Sequence, residues 1–440
     1  MIIFMTLIFY SCILIMLVMN LNNAKPKKNI ILGATIPVSH QNDARVAEIV
    51  KQYKKESIIA HIILTVLLIP AFFVNMSANF FYLMTWLVFA MVGQQLPFVR
   101  ANKLLREYKK EQGLRGEKSK IIDLKLSTID IKAPSPWISM IPFVLSLGPI
   151  VCTVANPGNG KLGALLFIYI TMSACILLCM VLHIFVVRRA KDVVSDNTDI
   201  NKALSVIRTR NWAKMFIGMN FFLCATGYVM FADFAFSVFT ANTMFISIVV
   251  ITVVMIGFAM YVEFDTRSKQ YEYTTANPDF EDALLDEDDY WIWGMFYYNP
   301  NDNRFMIPDR IGSNTTVNVA KPAGKITMGL SALLIAACPF IGAYIYYADQ
   351  VPLKLEFTDT AIIATHMNED YNIPLDEILK QEKLDEAPEI ISKINGYATE
   401  NVFKGTFSTK DYGVCEVFFS TDATEFYLVE TEDERYILGK

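Results

Sequence analysis

The chain has 440 residues, 53% of them hydrophobic, with a mean hydropathy of +0.35. Of seven cysteines, six lie in or beside apolar runs and only Cys415 lies in the tail, which excludes a disulfide-stapled domain there. The net charge of −5 hides basic loops and an acidic tail, and the tail's sign excludes a grip on nucleic acid or anionic lipid.

Apolar runs occupy 2–20, 57–77, 79–97, 136–155, 162–187, 213–233, 242–262 and 327–348. Each is about 20 residues, the length that crosses a hydrocarbon core of ~30 Å, and a helix is the structure that satisfies the backbone there. The first run has no basic residue before it, and Lys25, Lys27 and Lys28 follow it. That is the reverse of a secretory leader, so it reads as a retained anchor with its N-terminus outside.

Lysine and arginine orient the rest. The loop at 21–56 carries seven, that at 98–135 ten, the stretch at 188–214 seven and the loop at 263–326 six. The turns at 75–79 and 233–242 carry none, and 156–161 has only Lys161. This alternation places the large loops in the cytoplasm and both termini outside the cytoplasm.

The cytoplasmic loops hold amphipathic stretches. Val46, Ile49, Val50 and Tyr53 recur at helical spacing after Asp43, an N-cap residue type. Leu104, Leu105 and Tyr108 do so among Arg100, Lys103, Arg106, Lys109 and Lys110, and Ile200, Ala203, Leu204 and Ile207 repeat the pattern. Such basic helices set topology and suit an anionic inner leaflet. From Ile122 to Ile131 the alternation is strand-like, and Ser135-Pro136 opens the fourth span.

The loop at 263–326 begins with Asp279, Glu281, Asp282, Asp286, Glu287, Asp288 and Asp289. Aromatic residues then flank a turn, Asn299-Pro300-Asn301-Asp302, which suggests a hairpin at the inner surface. The acidic run lacks the glycine and spacing of an EF-hand, so no metal is expected there.

The tail from 349 sets eight Lys and Arg against 20 Asp and Glu, a net charge of −12. Strand-like segments lie at 354–357, 361–365, 402–406, 414–419, 425–429 and 435–438, and 374–378 reads as a turn with a short helix. The fold class is thus an α-helical polytopic membrane protein of about eight spans with a small, mostly β, extracytoplasmic C-terminal domain.

Two segments carry resemblances. The pattern Trp291, Trp293, Phe296, Tyr297, Asn299, Asp302, Phe305, Pro308, Arg310, Gly312, Thr316 and Asn318 resembles a short module of uncharacterised bacterial multi-pass membrane proteins. Asn303 stands where proline is common there, and Ser313-Asn314-Thr315 departs from the usual glycine-tryptophan. The stretch 33–55, with Ile36-Pro37 before a basic helix, is similar to the same proteins, some of which carry a further uncharacterised domain shared with immunity proteins against toxic peptides. The tail at 373–439 resembles the bacterial pleckstrin-homology-like (PH-like) domain through Ile373-Pro374-Leu375, Asn395-Gly396, Gly405-Thr406-Phe407, Tyr412-Gly413, Phe418 and Tyr427-Leu428-Val429. It lacks the basic loops with which eukaryotic relatives bind phosphoinositides, and the chain ends before the C-terminal helix of such domains. The resemblance implies fold and kinship, with Trp291, Trp293, Phe296, Tyr297, Asn299, Asp302, Arg310, Gly312 and Asn318 as candidate binding residues.

Catalytic constellations are not evident. Gly158-Asn159-Gly160-Lys161 lacks the spacing and hydroxyl of a phosphate loop, and Cys175 and Cys179 share a helix face as packing residues do. The expectation is a non-enzymatic cell-membrane protein of a bacterium without cofactor or nucleic-acid partner. Its partners would be the bilayer and a protein or peptide, in sensing, regulation or peptide resistance. The alternative is a transporter with a polar cavity at Asn220 and His183 and helices broken at Pro70, Gly148-Pro149 or Pro339. A reporter that works only in the cytoplasm, fused after Lys440, is expected to be inactive; activity would contradict the orientation.

Overall fold

The computed structural model describes residues 2–27, 29–114, 132–155, 160–184, 197–236, 241–276, 286–310, 315–432 and 434–440. The strand-like stretch at 122–131 lies outside them, as do Asp279, Glu281, Asp282 and Gly312. The helices are α1 (Ile2–Asn23), α2 (Ala44–Val66), α3 (Met76–Gly93), α4 (Leu96–Glu111), α5 (Met140–Ala155), α6 (Gly160–Leu182), α7 (Thr198–Phe236), α8 (Ala241–Thr275) and α9 (Pro322–Gln350). Among the described residues, seven segments are long and apolar enough to cross a membrane: Met5–Asn23, Ala44–Phe73, Met76–Glu111, Pro136–Ala155, Thr198–Ala232, Ile246–Thr275 and Pro322–Gln350. The fifth apolar run gives α6, whose apolar part, Leu166–Leu182, is shorter.

Two of the three amphipathic stretches are continuous with a span, and the third, with Leu104, Leu105 and Tyr108, lies in α4. Helix α2 continues from Ala44 into its apolar half, and α7 runs unbroken for 39 residues. No glycine or proline interrupts either junction, so the helical hydrogen bonds propagate through it. Between α3 and α4 the chain does break, where Pro97 sits in the first turn of α4.

The chain divides into two compact units, one of residues 15–61 and 94–330, the other of 1–14, 62–93 and 331–440. In the first, a two-stranded hairpin, β1 (Ile30–Ile31) and β2 (Ala34–Thr35), precedes α2. The apolar faces of α2 and α4 meet over it: Val46, Ile49 and Tyr53 pack with Phe98, Ala101, Leu105 and Tyr108 around Ile31, Leu32, Ala34 and Ile36. These faces therefore bury against each other instead of lying open to a leaflet. Full burial stabilises each large apolar side chain by roughly 1.5–3 kcal/mol. A buried polar chain runs beside this core, from the Tyr53 hydroxyl to the Asn20 carbonyl (2.8 Å), from the Asn20 amide to the Gln94 carbonyl (3.2 Å), and between Gln94 Nε2 and His61 Nδ1 (2.7 Å). On α8, Glu263 and Arg267 form a buried ion pair at 2.7 Å with i,i+4 spacing.

In the second unit, the tail forms two sheets. The three-stranded one is β7 (Lys354–Phe357), β8 (Ala361–His366) and β9 (Asn368–Pro374). The six-stranded one contains β10 (Lys380–Leu384), β11 (Ile390–Ala398), β12 (Val402–Thr409), β13 (Gly413–Ser420), β14 (Phe426–Glu430) and β15 (Arg435–Gly439), in the order β10-β14-β15-β13-β12-β11. All its pairings are antiparallel except β13 with β15. Alternation sorts its side chains. Phe407, Val417, Phe419 and Ile437 build one core, while Phe418, Val429 and Leu438 face Leu355, Ile362 and Ile373 of the smaller sheet. The expected short helix at 374–378 is a single 3-10 turn, Leu375–Glu377.

The tail is clamped to the helix that carries it. Asp349, buried in the last turn of α9, accepts hydrogen bonds from Ser77 of α3 (2.6 Å), from Asn401 (3.0 Å) and from the Thr399 hydroxyl. Glu400 caps the Met76 amide at the start of α3 (3.2 Å), where the helix end favours an anion. Tyr397 and His366 bond the Ile345 and Ala348 carbonyls of α9 at 2.9 and 2.8 Å. Replacing Asp349→Ala removes the shared acceptor of three hydrogen bonds at once, and bonds to a charged acceptor are worth ~1.5–3 kcal/mol each. The variant is expected to lose about 3 kcal/mol and to be cut faster by protease between α9 and β7. An unchanged digestion rate would show that the clamp does not hold the tail.

Candidate functional site

The site is assembled within the first unit from two hairpin turns. Leu32 and Gly33, at φ 47° and 74°, link β1 to β2. Trp293 and Gly294, at φ 52° and 71°, do the same between β3 (Trp291–Ile292) and β4 (Phe296–Tyr297). Two consecutive left-handed residues make the turn that suits the twist of a short hairpin. The two glycines lie backbone to backbone: a Cβ on Gly33 would stand 2.8 Å from the Gly294 Cα. Asn102 of α4 bonds the Leu32 carbonyl beside them at 2.8 Å.

Asp288 ties the turns to the helices. Its carboxylate accepts the Thr35 amide at 3.1 Å, the Thr35 hydroxyl at 2.7 Å and the Lys109 ammonium at 2.7 Å. The Arg310 guanidinium donates to it as well, and also to the Gly33 carbonyl at 3.2 Å. Lys109 bridges on to Asp286 at 2.7 Å. Arg310 lies 5.2 Å over the Trp291 ring, and Arg106 donates to the Trp291 carbonyl at 2.5 Å. Burial pushes the Asp288 carboxyl up, but Arg310 and Lys109 outweigh it and hold it well below the usual carboxylate range.

A second knot lies alongside. The Asn318 amide donates to the carbonyls of Asn299 (2.9 Å) and Asp302 (3.0 Å) and accepts the amides of Asn299 and Ala320, each at 3.1 Å. The Tyr297 hydroxyl donates to Asp302 and accepts from Asn299, both at 3.1 Å. Burial raises the Tyr297 phenol, which keeps it protonated as that donor. Burial also raises Asp302, but bonds from Arg304 and Tyr297 bring it down to about 2. A further pair, β5 (Met306–Pro308) and β6 (Thr315–Val317), closes the knot, with Trp291, Tyr297 and Ile307 forming its small core.

The hairpin expected around Asn299–Asp302 is thus two hairpins joined by that turn, because Trp293-Gly294 takes the tighter reversal. Of the candidate residues, Trp291, Tyr297, Asn299, Asp302, Arg310 and Asn318 are buried in the scaffold. Trp293 is 56% exposed, with the half-buried Phe296 ring edge-on to it at 6.3 Å. Thr35, Asn102, Arg106, Lys109 and Asp288 complete the site although sequence reasoning did not single them out as partners. The one available signal was Leu32-Gly33 inside a short apolar run. No protein-family model, no curated protein and no solved structure matches the chain.

Removing one member of a buried, paired charge costs ~3–5 kcal/mol, so Asp288→Ala is expected to unfold this unit at markedly lower temperature. Arg304→Ala, at a mostly exposed arginine, is expected to cost under about 1 kcal/mol. The pH dependence has a fixed sign. A carboxyl whose folded pKa is depressed adds stability that is fully present above its unfolded pKa of ~4 and is lost as pH falls through the folded value. Thermal unfolding followed from pH 7 down to 2 is expected to show this loss only below about pH 4 in the parent and a smaller one in Asp288→Ala. Equal pH profiles would contradict the assignment.

Proposed function

We propose that the chain is a multi-pass protein of a bacterial cell membrane, with both termini outside the cytoplasm, that acts by binding rather than by catalysis. Its role is sensing, regulation or resistance to a membrane-active peptide. The seven apolar helices support membrane insertion. The alternation of basic loops supports the orientation. So does the packing of three of those loops into one unit, through Thr35, Lys109, Asp288 and Arg310. The two packed sheets of the tail are compatible with kinship to the PH-like fold, which its motifs suggest.

One observation carries the binding role. Most buried polar groups of the platform bond one another, and beside the exposed Asn303 and Arg304 it turns outward an apolar set: Ile292, Trp293, Tyr298, Phe305 and Met306 are each exposed. Trp293 is held in the left-handed region, which costs a non-glycine residue ~1 kcal/mol or more and persists where surrounding structure enforces it. Its hairpin is fixed by Gly33 and Asn102 at the turn and by Arg106 at Trp291. A rigid aromatic on a pre-formed support is how protein interfaces place their anchors. The partner of this face is a protein or peptide in the cytoplasm.

Gentle solubilisation and co-purification test the reading. A partner is expected with the parent chain, and Trp293→Ala is expected to weaken its capture about tenfold or more while leaving folding intact, since anchor residues carry ~2 kcal/mol or more. Capture that is indifferent to Trp293, or no partner in repeated trials, would count against it.

A further inference from the structure

A separate feature lies among α5, α6 and α7, away from the platform. Pro149 stands inside α5 and has no amide to give to the Leu145 carbonyl. The Tyr228 hydroxyl of α7 takes that place at 2.8 Å. Gly148 makes the approach feasible: a Cβ there would stand 2.7 Å from the Tyr228 oxygen. The Ser146 and Ser173 hydroxyls pair beside the break at 2.8 Å.

Ser146, Pro149, Tyr169, Cys224, Gly227 and Tyr228 help to enclose a cavity of about 10 Å³, the room one water needs. Tyr169 is 2% exposed, and its hydroxyl has no partner among the described residues. Asn220 is 0% exposed, and neither its amide oxygen nor its nitrogen has a partner among them. It lies one turn before Leu223 and Cys224 of the cavity wall, on the same side of α7. A buried polar group left unmade is costly, and one in the cavity wall with a second a helical turn away is not economical packing.

We propose that this is a binding site for an uncharged hydroxyl group, brought either by water or by a neutral lipid alcohol. The groups on offer both donate and accept, as a hydroxyl requires. The lining has no countercharge for an ion: α5 carries no charged residue, nor does α6 from Leu162 to Leu182 or α7 from Met215 to Ala232. Tyr228, 38% exposed, forms the open side. When its hydroxyl leaves, the Leu145 carbonyl becomes an acceptor for the incoming one, and the cavity widens to admit more than a water. The site is independent of the binding role argued for the platform.

The test uses the full chain in phosphatidylcholine nanodiscs, with and without dioleoylglycerol, and with trioleoylglycerol as the lipid that lacks a free hydroxyl. If the lipid supplies the group, dioleoylglycerol raises the unfolding midpoint by several degrees. Trioleoylglycerol does not, and Tyr169→Phe and Asn220→Leu abolish the rise. If water supplies it, neither lipid acts, an experimental map shows an ordered water within hydrogen-bond reach of the Tyr169 oxygen, and Tyr169→Phe lowers the midpoint. The proposal is overturned if neither lipid acts, the cavity is empty in the map and Tyr169→Phe raises the midpoint, as deleting an idle buried hydroxyl does. Tyr169→Phe keeps the ring and its packing, so the test survives a failure of Asn220→Leu to fold.

Discussion

Three segments far apart in the chain meet at the Asp288 carboxylate. Thr35 reaches it from the first hairpin, Lys109 from the end of α4, and Arg310 from the aromatic loop, while Asp288 itself opens that loop. Taking a carboxylate out of water costs several kcal/mol, and an isolated one would become protonated instead. Here two cations, a hydroxyl and a backbone amide surround it, and their attraction outweighs desolvation and holds the carboxyl below its ordinary range. The same bond set reaches the Gly33–Gly294 contact and the Trp291 hairpin, because Arg310 joins the Gly33 carbonyl, the carboxylate and the indole face.

A buried ion cluster adds little net stability over a well-packed apolar core, but leaving any one member unpaired is expensive. Its value lies in specifying one arrangement. The apolar core of α2 and α4 tolerates small slips, whereas the carboxylate admits only the register that puts Thr35, Lys109 and Arg310 in reach. The clamp at Asp349 applies the same rule with neutral donors: Thr399 and Asn401 lose this acceptor if their strands shift against α9, and Ser77 loses it if α3 does. In both places a polar centre fixes geometry that hydrophobic burial alone would leave loose.

The helices were legible in the sequence because bilayer-length apolar runs have few other solutions, and β7, β8 and β12 to β15 because their side chains alternate. Strands β9, β10 and β11 were not legible. In β10, Lys380, Gln381, Glu382 and Lys383 are all exposed, so no buried face imprints a period of two, and pairing with β14 decides its structure. The platform was half legible. Turn chemistry marked Asn299 to Asp302, and the aromatic pattern marked Trp291 to Tyr297. The partners of Asp288 were hidden because Thr35 lies 253 residues away and Lys109 lies 179 away. Lys109 also resembled every other basic residue of its loop until its burial set it apart.

The most direct test of this account is a double-mutant cycle between Asp288 and Arg310, read as unfolding free energy of the full chain. Each single change, Asp288→Asn and Arg310→Gln, breaks the same bond set, so the account predicts that the double variant loses less than the sum of the two. The coupling should be on the order of 1–3 kcal/mol, as found for residues within one buried network. Additivity within about 0.5 kcal/mol, the behaviour of distant sites, would contradict the claim that this carboxylate organises the platform.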